Sequence, residues 1–120
     1  MTDLLEVIYE KLSEVGAAYF EQAPQDATLP YIVFTIPSTS EDFQRELLFL
    51  EVRCYDDDTD TTELERMAND VKSTLHRYKH YDADRLSTVI YFMSRNIIEE
   101  DYHRRRDLRF VCKTYFYEED

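Results

Sequence analysis

Two segments of this chain alternate with period two, and that alternation constrains the fold more than any other feature. In RELLFLEVRCY, Leu48, Leu50, Val52 and Cys54 point one way, and Phe49, Glu51, Arg53 and Tyr55 the other. Near the C-terminus Leu108, Phe110, Cys112 and Phe116 share one side, and Arg109, Val111, Lys113, Tyr115 and Tyr117 the opposite one. Successive side chains of a strand project to opposite faces. Each segment therefore reads as a strand with one buried face and one half-polar face. Two more strands are indicated. YIVFTI, between Pro30 and Pro37, is rich in β-branched and aromatic residues, with Ile32, Phe34 and Ile36 on one face. RLSTVIYFMSRNII carries apolar residues on both faces. Residues 17–21 are short enough to add only a brief extended segment.

The helices follow a different period. Leu4, Leu5, Ile8, Leu12 and Val15 recur at three- and four-residue steps, which predicts a helix over about 3–15. Gly16 is placed to close it in the left-handed conformation. Leu64, Met67, Ala68, Val71, Leu75 and Tyr78 form a second stripe, over about 61–78. Its start carries capping-box spacing twice, Thr62 with Glu65 and Asp60 with Glu63. Its end runs into His76, Arg77, Lys79 and His80, which complement the helix dipole.

The order is α-β-β-α-β-β. Polar turns join the strands: STSEDFQ, a loop at Asp82 and Asp84, and a turn through Glu99, Glu100 and Asp101. Short turns favour antiparallel hairpins. The expectation is a two-layer α+β fold: a mostly antiparallel sheet of about four to five strands with both helices on one face. One domain over residues 1–120, ending in an acidic tail at 118–120, suits a chain of this length.

Composition narrows function by exclusion. Fourteen Lys and Arg face 26 Asp and Glu, a formal charge of −12. Such a surface repels phosphate, so specific nucleic-acid binding and adhesion to anionic membranes are disfavoured. No apolar run reaches the roughly 18–20 residues that span a bilayer. The first residues mix acids into every turn, unlike a signal peptide. Two cysteines are few for a secreted disulfide scaffold. A reducing cytoplasm, without secretion, is the expected setting. The chain has one glycine. Phosphate-cradling loops need several, which excludes the P-loop and dinucleotide fingerprints.

No catalytic, cofactor or metal set emerges from the remaining motifs. Asp56, Asp58 and Asp60 match the first ligands of a calcium loop, but Thr61 stands where glycine is needed and Met67 where a glutamate belongs. His76 and His80 are four apart, with no third ligand at helical spacing. Cys54 and Cys112 fall on core faces without a neighbouring base, and read as packing residues. His103, Arg104, Arg105 and Arg106 make the only dense basic run. It suits acidic protein partners, another copy of the chain included, or equally a solvated turn paired with the acids at 99–101.

Ten tyrosines and no tryptophan are the more suggestive signal. Phe49, Tyr55, Val111, Tyr115 and Tyr117 lie on the faces opposite the core pattern. Aromatics there are enriched at protein interfaces, and no third helix is available to cover them. Those five, with Arg104, Arg105 and Arg106, are the candidate protein-interface residues.

The sequence also resembles a family. LPYIVFTIP, a polar spacer, RELLFLEVRCYD and the acid-capped helix TTELERMANDVKSTL follow in an order similar to that of the tail-completion and tail-terminator proteins of long-tailed bacteriophages and prophages. The resemblance runs from about Ala23 to Tyr117, with Ser38 to Asp42 where relatives often place glycine. It implies a non-enzymatic structural subunit that joins head to tail. Copies would assemble, commonly as six, into a ring at the head-proximal end of the tail, against tail-tube and head-connector proteins. The chain would then assemble in the host cytoplasm and end in the virion tail or neck. The alternative is a small acidic cytoplasmic adaptor or inhibitor that acts as a decoy for basic partners.

Overall fold

The computed structural model describes residues 2–42, 45–81, 86–99 and 104–116. Helix α1 spans Thr2–Ser13 and strand β1 spans Ala18–Phe20. The hairpin β2 (Tyr31–Asp42) and β3 (Arg45–Asp56) comes next, then α2 (Thr62–Leu75). Strand β4 (Lys79–Tyr81) precedes β5 (Leu86–Glu99) and β6 (Arg104–Phe116). All six strands join one sheet in the order β1-β2-β3-β6-β5-β4. The β1–β2 pair is parallel and the other four pairs are antiparallel.

The expected α+β architecture is present, but the sheet is larger and mixed. Two strands of three residues close its edges. Residues 17–21 supply β1, whereas β4 comes from the end of the basic stretch, just past the expected end of the second helix. That helix stops at Leu75 because Arg77 adopts a left-handed φ of 67°. The Arg77 amide donates to the Ile90 carbonyl at 2.6 Å, and the Ile90 amide to Tyr78 at 3.0 Å. Sheet pairing thus replaces the helix's last turn. Gly16 does not take a positive φ. Its role is space: a Cβ there would meet Met67 Cε at 3.3 Å. The spacer expected at 38–44 as a turn is strand up to Asp42. Residues 82, 84, 100, 101, 103 and 117–120 lie outside the described residues.

The parity reading holds on β3 and β6. Leu48, Leu50, Val52, Cys54, Leu108, Phe110 and Cys112 are all buried. Leu48 pairs with Cys112, Leu50 with Phe110 and Val52 with Leu108. Both helices press onto this face through Leu4, Ile8, Leu12, Leu64, Met67, Ala68, Val71 and Leu75, which join one core cluster. Each buried Leu, Ile, Val or Met among them contributes about 1.5–3 kcal/mol, so this face decides which side of the sheet the helices cover. Bulges between Thr35 and Ser38 in β2 and between Phe92 and Ser94 in β5 curl the sheet. Long strands make the molecule elongated, 57 × 23 × 22 Å.

Candidate interaction surface

The opposite face of the sheet carries no described helix, and the structure gathers most of the sequence-selected residues there. Phe49 pairs with Val111, and Val111 with Tyr91 on β5. All three are half-buried. Tyr115, four residues beyond Val111 along β6, is 42% exposed. Tyr55 lies six residues from Phe49, about 20 Å along the strand at 3.3–3.4 Å per residue. The aromatics therefore form two groups and not one patch. Tyr117 lies outside the described residues.

The group around Tyr55 is a ladder across four strands. Tyr19 meets Tyr31 edge-on with centroids 5.9 Å apart, and Tyr31 meets Tyr55 at 5.2 Å. The Arg105 guanidinium sits 5.8 Å from the Tyr55 ring centre. Burial raises the Tyr31 hydroxyl above its usual pKa, helped by Tyr55 and Tyr19. Tyr19 and Tyr31 were not selected from the sequence, because only register places them beside Tyr55.

Between the two groups lies a charged strip. Glu51 is almost buried and accepts from Arg53 Nε, with Arg109 at 3.7 Å on its other oxygen. Asp107, also buried, pairs with Arg105 Nε at 2.8 Å. Burial raises the Asp107 pKa although Arg105 opposes the shift. Next to this strip, a pocket of about 310 Å³ opens between the two bulges, lined by Pro37, Phe49, Met93 and Arg109 among others.

The basic run divides. Arg104 and Arg105 are half-buried. Arg106 is not a surface residue: it is 3% exposed on the core side. The same parity that buries Leu108 and Phe110 turns Arg106 inward, where its Nε meets Glu65 of α2. Glu65 also accepts from Arg95 of β5, and Arg95 donates to Asn69 Oδ1 at 2.7 Å. One carboxylate thus fastens the helix to two strands. Sequence reading assigned Glu65 to a capping box instead.

The other motifs resolve into local structure. Asp56 Oδ1 accepts the Asp57 amide at 2.8 Å, Asp58 Oδ1 the Asp60 amide at 3.0 Å, and Asp60 Oδ1 the Thr62 amide at 3.0 Å. The acidic run is a chain of turns leading into α2. Thr62 lies inside the helix with its hydroxyl on Asp60 at 2.6 Å, so its capping box with Glu65 does not form. His76 ends α2, and its Nδ1 accepts the Phe92 amide at 3.0 Å. His80 is on β4, so the two histidines share no helix face. Among the described residues no three His, Cys, Asp or Glu are grouped to hold a metal. Burial pushes both the Cys54 and the Cys112 thiol up to about 12. No helix among the described residues is long and apolar enough to cross a membrane.

No family model matches the chain, and no curated protein matches it. Solved structures do. The chain is similar to one from the virion of a native gene transfer agent particle, with a TM-score of 0.66 and 14% identity, over 90% of this chain and 91% of that one. A second solved structure is similar over 99% of each chain, with a TM-score of 0.73 and 11% identity. At such identities the likeness is one of fold: two helices on a curled, mixed sheet of six strands, shared over nearly the whole chain.

Proposed function

We propose that this chain is a non-enzymatic structural protein of a phage-like particle, a tail-completion or tail-terminator subunit. Copies of it form or join a ring at the head-proximal end of the tail. The observation that carries this reading is the near full-length likeness of fold to a chain from a gene transfer agent virion. The uncovered sheet face supports it, since mixed aromatics and charges there suit subunit contacts. The charge of −12 suits a ring whose bore lets DNA pass without sticking. Deeply buried thiols with raised pKa values leave neither cysteine as a nucleophile. The partners are other copies of the chain, tail-tube proteins and head-connector proteins. Assembly takes place in the host cytoplasm and the product is the virion tail or neck.

The test is to delete the gene from a particle-producing cell and to analyse purified wild-type particles by mass spectrometry. The chain is expected in intact particles at a few copies each. Its loss should leave heads and tails that fail to join. Normal particles from the deletion strain, or particles without the chain, would refute the proposal.

A further inference from the structure

A second surface complements the uncovered sheet face. Between α1 and the β1–β2 edge lies a groove of about 420 Å³, lined by Leu5, Glu6, Tyr9, Glu10, Phe20 and Phe34. Its floor is aromatic: Phe20 meets Phe34 at 5.3 Å, and Tyr9 meets Phe34 at 6.5 Å. Tyr9 is 50% and Phe20 41% exposed. Large aromatics left half in water are unfavourable unless something covers them. Glu6 and Glu10, one turn apart on α1 and both exposed, form an acidic rim.

The uncovered sheet face has the opposite character. Lys79, Arg53, Arg105, Arg109 and Lys113 lie on it by register. The carboxylates of Glu51 and Asp107 are buried there beneath their arginine partners, and Asp42 lies at the far end of the face, opposite Arg45. Around Lys79 and Lys113 the face is therefore basic, on a chain whose formal charge is −12. Lys79 and Lys113 flank one strip with Val89 between them. The Lys113 ammonium lies 5.2 Å from the Tyr91 ring centre.

We infer that the α1–β1 groove of one copy docks on the Lys79–Lys113 strip of the next. Acidic rim meets basic strip, and exposed aromatics on each side lose their contact with water. The occupant is a second copy because one chain carries both halves of the contact. The two halves sit on opposite layers of the fold, so one copy cannot satisfy itself. A contact between unlike patches propagates head to tail and closes as a ring when the rotation allows. This deepens the ring reading by naming the two surfaces that would build it.

The experiment uses the purified full chain, by sedimentation velocity and amide chemical shifts from micromolar to millimolar concentration. Wild type should show concentration-dependent shifts in both patches, weakening with salt. Glu6→Lys with Glu10→Lys, and separately Lys79→Glu with Lys113→Glu, should each weaken association by at least about tenfold, because like charges then face each other. Mixing the two variants in equal amounts should restore it, since each reversed patch meets its complement. Circular dichroism checks that both variants fold. If Lys113→Glu unfolds the chain, Lys79→Glu alone carries the basic half of the test. The inference is overturned if wild type stays monomeric without shifts at millimolar concentration. It is equally overturned if mixing restores nothing, or if association stops at a dimer that uses one patch on both copies. A tail protein that fills the groove of a non-associating chain would also overturn it. None of these results touches the deletion experiment, so a chain found in particles with these surfaces unpaired leaves the structural role standing.

Discussion

Glu65→Ala is the most informative single substitution for the fold. It removes the acceptor shared by Arg95 and Arg106. Arg95 keeps Asn69, but Arg106, 3% exposed in the intact protein, keeps among the described residues only the Arg105 carbonyl, at 3.1 Å. Breaking a fully buried pair costs about 3–5 kcal/mol, because the remaining charge is uncompensated. Here the Glu65 side chain is 39% exposed, so water can enter the vacated space. The cost should therefore fall to about 2–3 kcal/mol. For a chain of this length that is a drop in Tm of about 8–12 °C. Urea denaturation followed by circular dichroism gives the free energy directly, with the slope checking that cooperativity is kept. Glu65→Gln, which retains one acceptor oxygen, should lose less. Arg106→Met should be destabilising alone, yet its combination with Glu65→Ala should cost at least about 1 kcal/mol less than the sum. A Glu65→Ala loss below about 0.5 kcal/mol, or strict additivity in the cycle, would refute the view that this carboxylate fastens α2 to the sheet.

Three further outcomes are expected. Asp60→Ala should lower the urea midpoint more than Thr62→Ala does, because Asp60 is the acceptor in both bonds. Those bonds hold the Asp60 carboxyl below its usual range, so its stabilisation is present above the unfolded-state pKa and fades as pH falls through the lower folded value. A difference between wild type and Asp60→Ala that persists unchanged into strong acid would contradict this. Native-state alkylation of Cys54 and Cys112 should be very slow at pH 8, since a thiol near 12 is ionised in about one molecule in ten thousand; equal rates in buffer and in urea would show that neither is packed as described. Phe49→Ala with Tyr115→Ala should leave the circular dichroism spectrum intact while weakening assembly, and unfolding of this double variant would place these side chains in the core.

The two faces of β3 and β6 and the apolar stripes of both helices are legible in the order of residues alone. These features are local: a period of two or 3.6 residues is imposed by backbone geometry wherever one side meets a core. The same order also indicates Phe49, Tyr55, Val111 and Tyr115 as outward-facing, by the same parity. Carried two residues back from Leu108, that parity would have turned Arg106 inward, but the density of the basic run suggested a surface patch instead. The remaining features arise from contacts between segments far apart in the chain. Strands β1 and β4 are three residues long, too short to show a period, and exist because β2 and β5 offer them edges. Arg77 ends α2 in a left-handed turn because Ile90 awaits its amide. Glu65 reaches Arg106 across 41 residues, and Tyr31 comes beside Tyr55 through register. Such pairings depend on which strand lies next to which, and no local spacing encodes that. The groove floor of Leu5, Tyr9, Phe20 and Phe34 is assembled from three elements in the same way, by packing that brings distant segments together.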